Sequence, residues 1–106
     1  MPLRLVCLDG HADISLDRAV VVVGRHHRCD VRIASTRVSR RHCCLALVRD
    51  GVLVRDLGST NGTRINGRRV EVGLLRPGDE LSIAHCRYHL EGPPAPECEP
   101  ARPGDD

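Results

Sequence analysis

Short β-forming runs follow one another along almost the whole chain, and each is closed by a turn signal. Pairs such as Asn66-Gly67 and Pro77-Gly78 separate the runs, and such pairs favour tight turns. No stretch carries the sustained apolar period of 3.6 residues that indicates a helix packed on a core. Many short strands within 106 residues predict an all-β fold of the β-sandwich type. The predicted strands are residues 3–8, 14–16, 20–23, 31–33, 43–49, 52–57, 63–65, 80–83 and 86–90.

The core of this sandwich must be aliphatic, because the chain has no Phe, no Trp and one tyrosine, Tyr88. Val, Leu and Ile make up 28 of the 106 residues, above the level of roughly 20% below which a charged chain stays disordered. The valine run at residues 20–23 predicts a strand buried on both faces. The last residues carry five of the seven prolines and no Val, Leu or Ile. We therefore predict one folded domain at residues 1–92 and a flexible, Pro-rich acidic tail at residues 93–106.

The basic residues exclude several functions, because all 16 are arginine and none is lysine. Such a chain lacks the lysine of a P-loop, of a kinase ATP site and of a Schiff-base enzyme. A single aromatic ring provides no platform on which unpaired bases stack. The net charge of +2 is too small to predict non-specific attraction to nucleic acid or to an anionic membrane. We expect no nucleic-acid partner and no membrane insertion.

The predicted compartment is the cytoplasm. The chain shows no apolar run of about 18 residues and no signal-peptide layout at its start. Its six cysteines would suggest disulfides in a secreted protein. Without that context, they are interpreted as small hydrophobic residues in a reducing compartment.

Polar residues concentrate in three predicted loops, at residues 24–30, 35–42 and 58–63. Between residues 25 and 41 there are six arginines and one acid, Asp30, which gives a local charge of +5. Charge runs are usually solvated faces, but loops held by a rigid sheet often carry binding residues. Guanidinium groups match the geometry of phosphate, and hydroxyls add donors. The pattern therefore predicts a site for a compact anion such as phosphate.

The order and spacing of these polar blocks resemble the forkhead-associated (FHA) domain family. Gly24-Arg25 is followed by Ser39-x-x-His42 and then by Thr60-Asn61-Gly62. The resemblance covers about residues 1–92 and implies a β-sandwich of about eleven short strands that binds phosphothreonine peptides through loops at one end. The chain departs from the family in having aliphatic residues or Cys at buried positions where aromatics are common. Further matching blocks are residues 30–33, 38–42, 56–63 and 75–79.

The resemblance assigns binding roles to five residues. Arg25 and Ser39 would bind the phosphate oxygens, and Asn61 would hydrogen-bond the peptide backbone beside the phosphothreonine. Thr60 and Arg40 would support the phosphate or the main chain of the ligand. The implied module is non-catalytic and needs no cofactor, and its partners are phosphothreonine-containing proteins, either substrates of a Ser/Thr kinase or the kinase itself.

Three further residues are implied to be structural. Gly24 would allow a close approach of two backbone segments, His42 would hold the loop of Ser39, and Gly62 would form the turn. Arg37 lies two residues before Ser39, so both side chains would face the ligand if the segment is extended. We predict that Arg37 selects an acidic residue C-terminal to the phosphothreonine.

Two histidines, His26 and His27, directly follow Arg25. Imidazole titrates near neutral pH, and a bound phosphate favours a positively charged neighbour. We predict that one of the two gains a proton when phosphate binds, so that affinity rises as the pH falls from about 8 to about 6.

Other chemistries fit the sequence less well. A metal site at His26-His27-x-Cys29 or His85-Cys86-x-x-His89 lacks a Cys-x-x-Cys pair, and His85 and Cys86 in one strand would point to opposite faces. We therefore expect no metal. Ser39 with His42 as a catalytic pair lacks an orienting acid and the Gly-x-Ser-x-Gly motif, so we expect no enzyme.

Of two alternative binding functions, the sequence disfavours one and leaves the other open. Duplex DNA would require a wider basic face than these loops provide. The same fold could also serve protein contacts that do not depend on phosphorylation, because a fold does not determine its function.

Overall fold

Eleven β-strands in two sheets form the computed structural model, which describes residues 3–92. The predicted all-β sandwich of about eleven strands is confirmed. Residues 3–92 contain no helix long and apolar enough to span a bilayer. The predicted tail at residues 93–106 lies outside the described residues. The strands are β1 (Leu3–Cys7), β2 (Ile14–Leu16), β3 (Val20–Gly24), β4 (Val31–Arg32), β5 (Cys43–Val48), β6 (Gly51–Asp56), β7 (Thr63–Ile65), β8 (Arg68–Arg69), β9 (Val72–Leu75), β10 (Glu80–Ile83) and β11 (Cys86–Glu91).

The strand order is β2-β1-β11-β10-β7-β8 in the larger sheet and β4-β3-β5-β6-β9 in the smaller one. Neighbouring strands are antiparallel except β3 and β4, which pair in parallel with Val23 opposite Val31 and Gly24 opposite Arg32. The chain leaves β4 at the same end at which it left β3. The segment between β4 and β5, residues 33–42, therefore lies next to the end of β3. The first polar loop, residues 24–30, begins at that same end.

Two short strands, β8 and β9, fall outside the predicted runs. β8 is a pair of exposed arginines without an apolar pattern, and it pairs with β7 because the turn before it reverses the chain. The predicted tight turn is formed by Asn66 and Gly67, whose φ angles of 52° and 85° fit the type I′ geometry that Asn-Gly pairs favour. β9 includes Gly73, a residue that weakens a strand pattern.

The core lies between the sheets and is aliphatic around Tyr88, which is 1% exposed. Alternation is clear in β6, where Val52 and Val54 are fully buried and Leu53 is 39% exposed. The prediction that β3 is buried on both faces is wrong, because Val20 is 52% exposed. The outer face of this smaller sheet is open to solvent, as is common in sandwiches.

Candidate functional site

The three polar loops of the sequence meet at one end of the sandwich, and Ser39 is their meeting point. The Ser39 carbonyl accepts a hydrogen bond from the backbone N–H of Arg25 at 3.0 Å. The Ser39 hydroxyl oxygen accepts one from the backbone N–H of Thr60 at 3.1 Å. The side-chain amide of Asn61 donates to the carbonyl of Arg37 at 2.7 Å. Direct hydrogen bonds therefore hold together five candidate residues that come from three separate loops of the chain.

The guanidinium of Arg25 is half-buried and held from one side. Its Nε donates to the carbonyl of Val38 at 3.0 Å. No carboxylate in residues 3–92 forms an ion pair with it, and its two Nη groups make no hydrogen bond to a protein acceptor within that range. The side that carries the Nη groups can therefore donate to an anion.

Gly24 lies where the end of β3 passes the main chain of Arg40. A Cβ built at position 24 would be 2.1 Å from the Arg40 carbonyl oxygen, which no side chain allows. That same oxygen accepts the backbone N–H of His26 at 3.1 Å and the thiol of Cys29 at 3.1 Å. The Arg40 side chain is exposed, so in this structure it is the backbone of Arg40 that holds the loop together.

His42 is fully buried and links two of the loops. Its Nδ1 accepts the backbone N–H of Ser39 at 3.1 Å, so the proton of the neutral ring must lie on Nε2. Nε2 donates to the carbonyl of Gly62 at 2.8 Å. Gly62 has a φ of +86°, in the left-handed region that favours glycine, and its carbonyl also accepts the backbone N–H of Ala84 at 3.1 Å.

The loop that carries Thr60 and Asn61 is organised by Asp56, to which the sequence argument gave no role. One carboxylate oxygen accepts the hydroxyls of Ser59 and Thr63, the latter at 2.7 Å, and the other accepts the backbone N–H groups of Gly58 and Ser59 at 3.0 Å each. Burial opposes the ionisation of Asp56, but these hydrogen bonds outweigh it and hold the pKa of the carboxyl below its usual value.

An aspartate two residues before a glycine is a local signal that could have identified this role. Aspartate side chains commonly accept the backbone N–H two residues further on, as Asp56 does from Gly58. The additional bonds from Ser59 and Thr63 depend on how the rest of the loop folds back, which spacing alone does not predict.

Asn61 and Thr60 lie at the exposed tip of this loop. Only Gly62 of the Asn61-Gly62 pair has a positive φ, so the pair does not form the two-residue type I′ turn seen at Asn66-Gly67. The loop is instead wider, and the Asn61 amide reaches across to the segment that carries Arg37 and Ser39.

The one acidic residue of the basic segment is turned away from its arginines. Asp30 accepts the backbone N–H of Val22 at 2.8 Å through one oxygen, and the guanidinium of Arg18 at 2.9 Å through the other. The side chains of Arg28, Arg37, Arg40 and Arg41 are exposed. The positive charge of this segment therefore faces solvent.

His26 and His27 stack on each other with ring centroids 4.4 Å apart. His26 Nδ1 accepts the backbone N–H of Arg28 at 3.1 Å. Partial burial, followed by the positive charge of His27, Arg28, Arg40 and Arg41, lowers the pKa of His26 from its ordinary value.

The two metal-ligand patterns of the sequence take different forms in the structure. Cys29 is hydrogen-bonded to a carbonyl beside the histidine stack. The expectation that His85 and Cys86 point to opposite faces is wrong, because His85 lies in the turn before β11 and strand alternation does not apply to it. Their side chains come together, with Cys86 Sγ 4.0 Å from His85 Nε2.

The two mostly antiparallel sheets form a β-sandwich, and a cluster of arginine-rich loops lies at one end of it. A family model described as the FHA domain matches residues 21–84, and the chain belongs to this family. The resemblance noted in the sequence is therefore confirmed.

Two relatives are regulators by name. The chain is 39% identical over 79 residues to the glycogen accumulation regulator GarA of Mycobacterium tuberculosis, covering 74% of this chain and 49% of that protein. It is 37% identical over 81 residues to the oxoglutarate dehydrogenase inhibitor of Corynebacterium diphtheriae, covering 76% of this chain and 57% of that protein. The chain thus spans about half the length of these relatives.

A solved FHA domain, from an analysis of phosphothreonine-dependent FHA interactions, superposes on the chain with a TM-score of 0.80. The two are 29% identical, and the match covers 89% of this chain and 99% of the other.

Proposed function

We propose that this domain binds phosphothreonine peptides through the loops of Arg25, Ser39 and Asn61, and so mediates kinase-dependent protein–protein interaction in signalling. The observation that carries this proposal is the pairing of the Arg25 guanidinium, anchored through Nε alone, with the Ser39 hydroxyl. Both are positioned by backbone contacts and both have hydrogens directed to no protein acceptor among residues 3–92. The phosphothreonine-dependent interactions of the solved FHA domain support the same chemistry.

The phosphate would be held by charge-assisted hydrogen bonds. The two Nη groups of Arg25 and the Ser39 hydroxyl are three donor groups for the phosphate, and Thr60 and Arg40 flank them. Such bonds contribute about 1.5–3 kcal/mol each. After the costs of ordering the partners, two or three are enough for a micromolar ligand, which needs about 8 kcal/mol.

The peptide main chain would meet Asn61 beside the phosphate. The Nδ2 group of Asn61 is bound to the Arg37 carbonyl, so its Oδ1 is the atom available to a peptide N–H. The exposed side chain of Arg37 would select an acidic residue C-terminal to the phosphothreonine. Gly24, His42 and Gly62 would act indirectly, by holding these groups in place.

The site chemistry favours binding over catalysis. A serine nucleophile needs a base in hydrogen-bond contact with its hydroxyl. His42 instead contacts the backbone N–H of Ser39 through Nδ1 and the Gly62 carbonyl through Nε2. Both ring nitrogens are therefore occupied by backbone groups. We infer a non-catalytic module whose phosphate recognition requires no cofactor.

The proposed partners are Ser/Thr kinase substrates or the kinase itself, and the proposed compartment is the cytoplasm, where such kinases act. A phosphorylation-independent contact is the second candidate, and one observation favours it. The outer face of the smaller sheet exposes apolar side chains at Val20, Leu53 and Val72. Exposed apolar patches often mark surfaces that bind other proteins.

Calorimetry with the full chain tests the main proposal against this alternative. The titrants are a degenerate phosphothreonine peptide library and its unphosphorylated counterpart. We expect micromolar binding of the phosphorylated library only, and a loss of about 100-fold or more in Arg25→Ala, because at least two charge-assisted bonds disappear. Arg28→Ala is the matched control, since it removes an exposed arginine of the same segment and should change affinity little.

The same library, sorted by sequence, tests the role of Arg37. An acidic preference C-terminal to the phosphothreonine should be present in the wild type and absent in Arg37→Ala. Equal binding of the phosphorylated and unphosphorylated libraries would refute phosphate recognition altogether.

A further inference from the structure

Three side chains with metal-ligand chemistry meet where the β1–β2 loop contacts the β10–β11 turn. Ligand atoms of His11, His85 and Cys86 all lie within 4.8 Å of one another. The two imidazole rings are 6.4 Å apart between centroids and nearly perpendicular, at 78°. Cys86 is buried and both histidines are exposed, so the sulfur forms the floor of the group and the rings form its open side.

The strand pairing of the larger sheet creates this group. β1 lies antiparallel to β11, with Cys7 opposite Tyr88, which carries the loop after β1 to the start of β11. His85 belongs to the two-residue turn before β11, since Ile83 pairs directly with Cys86. Residues 11 and 85 are therefore brought together by topology.

The loop that carries His11 is fixed on both sides. Asp9 accepts the backbone N–H of Arg87 at 2.6 Å and its guanidinium at 3.3 Å, which ties the loop to β11. The Cys7 sulfur accepts the backbone N–H groups of Asp9 and of His11 itself, at 3.3 and 3.2 Å. Asp13 in turn accepts the backbone N–H of Cys7 at 2.8 Å. The backbone at His11 is thus held in place before any ligand arrives.

We propose that His11, His85 and Cys86 bind a divalent transition-metal ion of the zinc class. One thiolate and two imidazoles form a ligand set that suits zinc, whereas calcium and magnesium require oxygen ligands. Zinc bonds of about 2.3 Å to sulfur and about 2.0–2.1 Å to nitrogen place tetrahedral ligand atoms roughly 3.3–3.6 Å apart. Because the ligand atoms are at most 4.8 Å apart now, the exposed imidazoles need to approach by no more than about 1.5 Å.

The coordination step balances with a single proton. In the metal-free domain Cys86 is a free, buried cysteine, and a metal ion binds cysteine sulfur as the thiolate. On binding, the S–H bond breaks, a metal–sulfur bond forms and the proton passes to solvent. No group is oxidised or reduced. The fourth position faces the solvent side of the group and takes a water molecule.

Titration of the reduced, metal-free full chain with Co²⁺ and then Zn²⁺ tests the site. We expect one Co²⁺ per chain, with the visible bands of tetrahedral cobalt and a thiolate-to-metal band in the near ultraviolet, and displacement of cobalt by zinc. Loss of an outer-shell partner commonly lowers metal affinity by about 10–100-fold. Loss of a ligand in His11→Gln or His85→Gln should therefore lower it by at least about tenfold, and Cys86→Ser should abolish the thiolate band.

The controls separate this site from other ligands of the chain. Because Cys86 is buried, its serine variant can lose stability, but His85 is exposed and His85→Gln keeps the test decisive. His89→Gln, Cys29→Ser and Cys98→Ser should bind as the wild type does. Unchanged affinity in both His11→Gln and His85→Gln, a thiolate band that persists in Cys86→Ser, or loss of binding in the His26→Gln/His27→Gln variant would each refute the proposal.

This inference shares no residue with the proposed phosphopeptide site. A failure to bind metal would leave the peptide titrations unaffected, and a failure of those titrations would leave the metal titration unaffected.

Discussion

The two connections that form the candidate site are built in opposite ways. The connection from β3 to β5 is long, exposes Arg37 and Arg40, and is held mainly by its backbone. The connection from β6 to β7 is short, and Asp56, Ser59 and Thr63 turn inward to bond one another. The β3–β5 connection presents positive charge to solvent. The β6–β7 connection is held rigid by its own hydrogen bonds and contacts the charged connection through Thr60 and Asn61. The side chains that would meet a ligand are therefore mostly different from those that hold the loops.

The largest effect is expected when His42, which hydrogen-bonds to both connections, is removed. His42→Ala deletes a buried ring, leaves the Ser39 N–H without its acceptor and opens a cavity. We expect the free energy of unfolding to fall by about 3 kcal/mol, and phosphopeptide affinity to fall with it because Ser39 loses its support. Chemical denaturation measures the first effect. His89→Ala is the control, since His89 is half-buried and its ion-pair distance to Glu91 of 3.8 Å indicates a small contribution.

A smaller loss is expected where the backbone of the long connection passes β3. Gly24→Ala places a methyl group against the Arg40 carbonyl and should lower the free energy of unfolding by about 2 kcal/mol. Gly73→Ala is a matched control, because the nearest atom there is the terminal methyl of Ile65 at 2.8 Å, which can rotate away. Equal losses in the two variants, measured by thermal unfolding, would contradict the close-approach argument.

Acid should weaken the short connection through Asp56. The pKa of its carboxyl is held below the ordinary value of 3.8, so its contribution is complete above about pH 4 and is lost as the pH falls through the lower, folded-state value. Asp56→Asn cannot accept all four hydrogen bonds and should cost about 1–2 kcal/mol at neutral pH.

The pH profile separates this effect from general acid denaturation. The unfolding free energy of Asp56→Asn should fall less steeply below about pH 4 than that of the wild type. Asp17→Asn, a change at an exposed carboxylate, should follow the wild-type profile. Parallel profiles for the wild type and Asp56→Asn would rule out the predicted role.

The smallest effect concerns the long connection and its histidine stack. His26 has a lowered pKa in the free domain because of partial burial and the surrounding positive charge. A bound phosphate dianion would bring negative charge close to the ring and so raise this pKa. Proton uptake on binding should then raise affinity toward pH 6 by no more than about threefold beyond the titration of phosphate itself, since His26 is only partly buried and its charge is screened by solvent. Calorimetry across this range should show a flatter profile for His26→Gln/His27→Gln, and an identical profile would dismiss the idea.

Much of the fold could be predicted from local patterns. β2, β7 and β10 begin and end at the predicted residues. Each is a short run with a β-branched residue, and a turn former stands directly before it: Asp13, Gly62 and Asp79 respectively. β8 could not be predicted, since Arg68 and Arg69 have no strand pattern of their own and pair only because a turn folds them onto β7.

The site could be located from the sequence more easily than it could be explained. The order of Arg25, Ser39 and Asn61 identifies the loops, but the two hydrogen bonds that fix the His42 ring depend on the packed structure. The proximity of His11 and Cys86 could not be predicted from local sequence patterns, because it follows from the pairing of β1 with β11, which are separated by almost the whole chain.

The orientation of Asp30 has a consequence for the kinetics of encounter. This carboxylate is bound by Arg18 and by a backbone N–H, so it does not neutralise the arginines of the β3–β5 connection. The electrostatic potential is therefore strongly positive at one end of the domain, although the whole chain carries a net charge of only +2. Such an uneven distribution steers an anionic partner toward that end. We expect the association rate with a phosphorylated partner to fall as salt is added, while the dissociation rate changes far less.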